Sequence, residues 1–482
     1  MRARTGVCIA AFSVAVPCAA QKLGVVEVHP RPRVITAAVD TSVIVRFDRP
    51  VARDSVRMRR SFSVFGRWSG PVEGSLSFSD GDQTMTLTPD RRLSAGEIVS
   101  VYLSNRIRGA DGSVFPGFSY QFWTAAAPAE MRFIRVQTLS TRERPAIASR
   151  AYGGVATDLD HDGYLDLTIV NEDTADLRVY MNIADSSARY REPFSGPFAV
   201  GNRASPSEAG DFDRDGHVDL VVANINDGTV SVLLGTGRGR YHGQSLIQVG
   251  SAPRGIAVLD LDSDGDVDVV NTNAGDSTLS VLVNDGHGGL GASRTIDAGG
   301  DGEWALAAAD MNEDGFLDLI VGARSSQEII VLAGDGRGNF SRQSATSSLG
   351  DVWMLVVGDV NGDLHEDVTA VNNRDASAVV LLGDGRGGLG PAEPHAIDPG
   401  GLAIDLGDLD GDGDLDMVSS SFSGDWLLFE NEGSGGFALG EVFLSTRAAS
   451  CALLYDADND LDLDIALIDE IADEVIIMKN MP

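Results

Sequence analysis

The sequence predicts an all-β protein in which a small β-sandwich precedes a seven-bladed β-propeller. An aspartate-rich segment recurs seven times, and each copy is set among the same four short strands. Four short strands in each of seven repeats, roughly 50 residues long, are typical of propeller blades. Glycine is frequent, with 56 residues, and aromatic residues make up only 6%, which favours tight turns and short strands over long helices.

The recurring segment reads Asp-x-Asp/Asn-x-Asp-Gly-x-x-Asp, and we number its positions 1 to 9. Successive first aspartates are separated by 53, 49, 50, 49, 49 and 48 residues, a regularity that chance does not produce. We call the segments loops 1 to 7. They begin at Asp158, Asp211, Asp260, Asp310, Asp359, Asp408 and Asp456.

This spacing predicts a calcium site in each loop. Calcium takes six to eight oxygen ligands, and side chains at positions 1, 3 and 5 of a tight loop point to one centre. Position 9 returns a further carboxylate, position 7 offers its backbone carbonyl, and glycine at position 6 permits the sharp turn. The sequence therefore predicts up to seven Ca²⁺ ions, one per blade. The predicted ligands, with residues at position 7 counted for their carbonyls, are Asp158, Asp160, Asp162, Tyr164 and Asp166; Asp211, Asp213, Asp215, His217 and Asp219; Asp260, Asp262, Asp264, Asp266 and Asp268; Asp310, Asn312, Asp314, Phe316 and Asp318; Asp359, Asn361, Asp363, His365 and Asp367; Asp408, Asp410, Asp412, Asp414 and Asp416; and Asp456, Asp458, Asp460, Asp462 and Asp464.

The loops are not EF-hands, because position 12 lacks the bidentate glutamate and strands flank each loop. A single such loop is equally well explained as an acidic turn, but seven in register favour metal binding. Leu364 and Leu461 replace the glycine of loops 5 and 7, so occupancy there is left open. The net charge of -34 also favours bound cations, since clustered carboxylates repel one another.

Residues 1–20 resemble a signal peptide, with Arg2 and Arg4 before an apolar run and small residues up to Ala20. Lipid attachment through Cys18 is the less favoured alternative. Cleavage would leave Cys451 as the remaining cysteine, so no intramolecular disulfide is expected. The strong negative charge disfavours nucleic acid and anionic membranes as partners, and no later segment resembles a transmembrane helix. We expect a monomeric protein that is secreted or held at the cell surface, and leave periplasm against exterior open.

Residues 25–125 lack the loops and show short strands in which apolar and polar residues alternate, which predicts the sandwich. Residues 126–131 are the expected linker, and residues 132–482 are the expected propeller. The seventh repeat has only three strands. The strand at 132–139 is expected to pair with 474–478 as the missing outer strand, which would close the ring and protect its edge.

The repeats resemble the FG-GAP/VCBS family, which is similar to the propeller of integrin α subunits. The resemblance implies calcium in the loops that join the first two strands of blades, roles in adhesion or ligand binding, and occasional attachment to enzymes. The N-terminal part resembles the SbsA-type bacterial Ig-like domain, which implies a spacer or presenting module in exported bacterial proteins. The segments that carry this second resemblance are Val45–Val51, Met85–Pro89, Asp111-Gly112 and Tyr120–Thr124.

No H-E-x-x-H, G-x-S-x-G or phosphate-loop motif occurs, so the leading hypothesis is a non-catalytic adhesion or recognition protein with a protein or glycan ligand. The residues that stand six positions before position 1 of each loop are predicted to form a ring around the channel. Tyr152, Arg254, Trp304 and Trp353 belong to this ring. They can stack on a sugar or grip a peptide, but packing within the channel is the favoured interpretation. The alternatives are an extracellular carbohydrate-active enzyme, such as a polysaccharide lyase using the propeller rim, and a purely structural surface component.

Overall fold

The computed structural model describes residues 22–482. The predicted signal segment, 1–20, lies outside the described residues. Within them the chain is all-β, as predicted, with nine four-stranded antiparallel sheets and one short 3-10 helix at Arg53–Ser55.

Alternating burial packs the N-terminal sheets face to face. In the strand Val43–Phe47, every second side chain is buried, and these side chains enter a core that includes Phe62, Val101 and Phe122 from the facing sheet. In order across each sheet, the strands are Val25–His29, Val43–Phe47, Thr84–Pro89 and Gly74–Ser79; then Gly70–Pro71, Phe62–Gly66, Ile98–Leu103 and Phe118–Trp123. We call this part the sandwich domain.

The remaining seven sheets are the propeller blades. Their second strands are buried along their whole length, as expected for strands covered by neighbouring blades on both faces. Within each blade the strands are ordered outward from the first, inner strand. Blades one to seven comprise Ala151–Thr157, Asp166–Asn171, Asp176–Tyr180 and Ser195–Ala199; Ala204–Gly210, Asp219–Asn224, Thr229–Gly235 and Tyr241–Gln248; Pro253–Leu259, Asp268–Asn273, Thr278–Leu282 and Arg294–Ile296; Glu303–Ala309, Asp318–Ala323, Glu328–Gly334 and Phe340–Ser347; Val352–Gly358, Asp367–Asn372, Ser377–Leu381 and Glu393–Ala396; Gly401–Gly407, Asp416–Ser421, Trp426–Asn431 and Phe437–Phe443; and Ala449–Tyr455, Asp464–Asp469, Glu474–Lys479 and Ile134–Ser140.

The seventh blade joins the two ends of the propeller segment. The strand Ile134–Ser140 pairs antiparallel with Glu474–Lys479, and Leu139 lies opposite Val475. The inner strands of neighbouring blades contact one another around the propeller, and that of the seventh blade contacts that of the first. The outer strand of the last blade thus comes from the segment before the first blade.

The sandwich domain sits on the loop side of the propeller. The backbone N–H of Asn105 donates to the carbonyl of Ser263 at 2.6 Å, and Ser119 donates to Gly315 at 2.7 Å. Past the sandwich, Ala127 donates to Leu461 at 2.7 Å. These partners belong to loops 3, 4 and 7, so the sandwich domain and the segment after it cover the face on which the predicted metal sites lie.

Candidate metal loops and channel mouth

Each loop is shaped by its own backbone amides. In loop 1 the N–H of Gly163 donates to Asp158 Oδ2 at 3.2 Å, and that of Tyr164 donates to Asp162 Oδ1 at 2.9 Å. The bond from position 7 to position 5 recurs in every other loop, and the bond from position 6 to position 1 recurs in loops 2, 3, 4, 5 and 7. Oxygens from three loop aspartates lie within 4.8 Å of one another in loops 1, 2, 3, 6 and 7. Positions 1, 3 and 9 form the trio in loops 2, 3 and 6, whereas positions 1, 3 and 5 form it in loops 1 and 7.

The loops without glycine keep the same turn. Gly163 has φ of 89°, and its counterparts Leu364 and Leu461 adopt φ of 67° and 79°. A side chain in this left-handed region costs roughly 1–3 kcal/mol. The surrounding loop therefore imposes the conformation, and the missing glycine does not by itself remove the turn.

Several carboxylate oxygens in the loops are buried without a donor. Oδ1 of Asp158, Asp211 and Asp408 has no hydrogen-bond partner within residues 22–482. A buried, unpartnered carboxylate oxygen is costly, and a hard cation relieves that cost. The donor set of these loops, all oxygen and mostly anionic, fits calcium.

The electrostatics of the loops lead to the same conclusion. Burial, followed by the charge of Asp264, raises the pKa of Asp260 to about 8. Burial likewise raises the pKa of Asp408 to about 6. A divalent ion would favour the charged carboxylates that burial disfavours.

Position 9 has a second role that the sequence analysis missed. Asp416 accepts the N–H of Leu409 on Oδ2 at 2.9 Å and that of Asn431 on Oδ1 at 3.0 Å. The same two bonds, to position 2 and to the end of the third strand, recur at position 9 of every loop. The carboxylate thus ties the loop to its sheet. The presence of aspartate at position 9 in all seven loops, including the two without glycine, was the available signal.

Side chains at positions 4 and 7 are not simply solvated turn residues. His161 Nε2 lies 2.7 Å from His217 Nδ1, between loops 1 and 2. His365 Nδ1 lies 2.6 Å from Glu313 Oε1 of loop 4. These histidines therefore join neighbouring loops.

Arginines of the sandwich domain reach the loop carboxylates. Arg91 Nη1 lies 2.8 Å from Asp158 Oδ2, and Arg106 Nη2 lies 3.1 Å from Asp264 Oδ2. The attachment of the sandwich domain and the charge state of the loops are therefore electrostatically linked.

A cavity of about 330 Å³ occupies the propeller channel, and the sandwich domain lines its loop end. Its walls are largely apolar, but Arg67 of the sandwich domain reaches Asp405 on the inner strand of blade six. Glu208 and Cys451 line the same cavity. Burial raises the pKa of the Cys451 thiol to about 12, so this thiol is a poor nucleophile.

The four predicted ligand-binding residues meet around the channel. The rings of Trp304 and Trp353 have centroids 4.4 Å apart, and the guanidinium of Arg254 lies 4.2 Å from the Trp304 ring. Trp353 Nε1 donates to the hydroxyl of Tyr152 at 3.0 Å. The indole faces are thus used in contacts within the protein, in line with the packing interpretation. The edges of the guanidinium groups are the polar groups that remain at this site.

Charged residues that the sequence analysis missed complete this group, which we call the channel mouth. Arg324 stacks 4.7 Å from the Trp304 ring and 4.8 Å from that of Trp353. The buried Glu172 lies 3.3 Å from Arg150 and 3.6 Å from Arg203, yet neither of its carboxylate oxygens has a hydrogen-bond partner in the described part of the chain. Glu470 lies 2.5 Å from Arg150. These residues stand eight positions before or 14 positions after position 1 of their loops, and these shared offsets were the available signal in the sequence.

Both the sandwich domain and the propeller match protein-family models. The model described as an FG-GAP-like repeat matches residues 158–222, 211–271, 260–321, 310–370, 359–419 and 408–467. The model of a bacterial Ig-like domain matches residues 19–124. No curated protein gave a match.

Solved structures that are similar to this chain share little sequence with it. The chain is similar to BBS1N from its complex with ARL6DN, with 14% identity, a TM-score of 0.51, and coverage of 72% of this chain and 98% of that one. A lectin of Agrocybe aegerita that recognises non-reducing terminal N-acetylglucosamine is similar at 15% identity and a TM-score of 0.46, over 89% of this chain and 98% of the lectin. At 14% identity, the likeness to BBS1N concerns the fold alone. Within the described residues, no helix has the length and apolar character needed to cross a bilayer.

Proposed function

Because this chain belongs to the FG-GAP-like repeat family and carries a bacterial Ig-like domain, we propose that it is a secreted, calcium-binding recognition protein without catalytic activity. Its ligand site is the channel mouth, and its calcium ions, held by the predicted loop residues, stabilise the blades. The ligand is an extracellular molecule that presents an anionic group.

The observation that carries this proposal is the state of Arg254. Its guanidinium is stacked on Trp304, and its Nε has no hydrogen-bond partner within the described residues. A stacked arginine is already oriented, so less entropy is lost when it binds a carboxylate or sulfate. Arg324, stacked on the same pair of indoles, and the partly exposed Arg150 and Arg203 add positive charge at the same mouth.

The direction of approach follows from the domain arrangement. The sandwich domain lines the loop end of the channel, whereas Arg203 keeps 42% of its side chain exposed at the mouth. A ligand presented from solution therefore reaches the arginines and not the loops. Calcium acts at a distance from the ligand, by holding the inner strands in place.

Arrays of acidic glycans, neutral glycans and acidic peptides, probed in calcium and again after chelation, test this function. We expect binding to anionic members in calcium, reduced at least tenfold by Arg254→Gln and unchanged by Arg337→Gln on an exposed hairpin. Acidic glycans and acidic peptides distinguish the two sources of the anionic group. Binding confined to neutral glycans, or equal binding by Arg254→Gln, would contradict the proposal.

Calcium is tested separately by thermal unfolding. We expect removal of calcium to lower the melting temperature by many degrees and its return to restore it, because an ion that binds only the folded state stabilises that state. An unchanged melting temperature, together with no bound calcium by elemental analysis, would contradict the calcium part alone.

One observation favours an enzyme as the second candidate. Glu172 and Glu470 are both buried and share Arg150, and burial raises the pKa of each above its usual range. Paired carboxylates of this kind serve as acid and base in carbohydrate-active enzymes. Product release from a polysaccharide panel, lost in both Glu172→Gln and Glu470→Gln, would establish this candidate in place of pure recognition.

A further inference from the structure

One residue sets the seventh blade apart from the others at its loop. Lys479 Nζ contacts Asp458 Oδ2 and lies 3.1 Å from Asp460 Oδ2. These aspartates occupy positions 3 and 5 of loop 7, and the Asp458 side chain is 0% exposed. An ammonium group therefore already lies on two of the oxygens that a calcium ion in this loop would use.

The position of Lys479 can be identified in every blade. It directly precedes the residue whose N–H donates to the aspartate at position 9, which in blade seven is Asn480 donating to Asp464. By the same bond, the counterparts are Met181, Leu234, Val283, Ala333, Leu382 and Glu430. Blade seven is the one with a cation there.

The side chain at this position lies beside position 3 of its own loop. Leu234 and Asp213 both border Gly288, and Leu382 and Asn361 both border Gly435. In blade six, the charge of Glu430 contributes to the raised pKa of Asp410. The geometry at Lys479 is therefore a property of the repeat, and the chemistry of the loop changes with the side chain placed there.

We infer that Lys479 is a built-in cation that replaces calcium in loop 7, so that the blade joining the two ends of the propeller keeps its folded geometry without a metal ion. This inference rests on the proposed calcium binding of the other loops. A divalent ion placed among the same carboxylates would meet the ammonium as a like charge and would compete with it for Asp458 Oδ2. The donor set of loop 7 therefore does not fit the ion that the repeat family implies, because a cation from the blade's own third strand already contacts two of its aspartates.

The consequence concerns the seam of the propeller, by which we mean the blade in which strands from the two ends of the propeller segment pair. Lys479 lies in the strand Glu474–Lys479, which pairs with Ile134–Ser140 from the segment before the first blade. A tethered ammonium is always present at its carboxylates, whereas calcium follows the concentration outside the cell. The seam then stays folded when calcium is scarce, whereas the stability of the other blades depends on the ion.

Native mass spectrometry in millimolar calcium tests the inference by counting ions. We expect Lys479→Met, which introduces the residue found in blade one, to bind one more calcium ion than the wild type. Asp458→Asn should leave the wild-type count unchanged but abolish the gain in the Lys479→Met background. The reverse change, Val283→Lys at the exposed counterpart in blade three, should remove one ion.

The outcomes separate the inference from the proposed function. A count that Lys479→Met does not increase, or that Asp458→Asn lowers in the wild type, would overturn the role of Lys479. A wild type that binds no calcium would overturn calcium binding, and the Lys479→Met gain would still decide the role of Lys479. Circular dichroism serves to check that each variant is folded. If Lys479→Met does not fold, the ion count of Val283→Lys gives an independent result.

Discussion

Arg67 of the sandwich domain donates a hydrogen bond from Nη1 to Oδ1 of Asp405 on the inner strand of blade six, at 3.0 Å. Asp405 is 4% exposed, and its second oxygen, Oδ2, has no partner among the described residues. The pair lies in the channel, so the sandwich domain contributes a cation to the interior of the propeller. The two domains therefore share buried charge, beyond their contacts at the loops.

We expect Arg67→Met to destabilise the attachment of the two domains. The change leaves Asp405 buried without its cation and with the N–H of Leu406 as its remaining donor, at a cost of about 1–3 kcal/mol. Differential scanning calorimetry should show a lower melting temperature or a separate, earlier transition for the sandwich domain. The double variant Arg67→Met/Asp405→Asn should recover part of the loss, and a double variant that is no better than the single one would argue against the pair.

The calcium loops should act blade by blade. Asp410→Ala removes a predicted ligand of loop 6, and we expect one ion fewer and a loss of about 1–3 kcal/mol in calcium well above the dissociation constant. Hydrogen exchange should rise in blade six and not in blade three. A uniform rise across all blades, or an equal loss in metal-free protein, would contradict a local metal site.

Position 9 should behave differently from position 3. Asp416→Asn keeps the shape but turns one acceptor into a donor, so one of the two amides that Asp416 holds loses its partner. We expect a loss of about 1–3 kcal/mol that persists without calcium. Chemical denaturation with and without the ion gives the comparison, and a loss seen only in calcium would mean that Asp416 is a ligand and not a tie within the blade.

The blades were predictable because their information is local and repeated. Loop spacing and apolar strands recur within each 48- to 53-residue unit, and the three-strand count of the seventh repeat directs attention to the strand before the first blade. The position of the sandwich domain was not predictable in this way. Contacts such as Asn105 with Ser263 depend on two surfaces far apart in sequence, and no periodicity relates them.

The channel mouth shows the same limit within a single site. Tyr152, Arg254, Trp304 and Trp353 share one offset from their loops, so one comparison across repeats found them. Glu172 and Glu470 occupy another offset, and their significance comes from burial, which the sequence pattern does not report. Lys479 was visible as a rare residue, but its role depends on the side chain meeting Asp458 across the turn.

Glu208 should give the channel a pH dependence that is distinct from that of the loops. Its exposed surface lies in the channel cavity, and burial raises its pKa to about 7, although Arg67 opposes the shift. The folded protein therefore holds this proton to higher pH than the unfolded chain. The resulting stability is present below the ordinary pKa of a glutamate and is lost as pH rises through about 7.

We expect the wild type in saturating calcium to lose more of its melting temperature between pH 5 and pH 8 than Glu208→Gln, which has no proton to lose. Saturating calcium keeps the loop carboxylates charged, so the difference between the two proteins isolates Glu208. The exposed Glu432→Gln should follow the wild type. In the Arg67→Met background the opposing cation is gone, so the fall should move to higher pH. Parallel curves for wild type and Glu208→Gln would show that this carboxyl does not titrate between the two pH values.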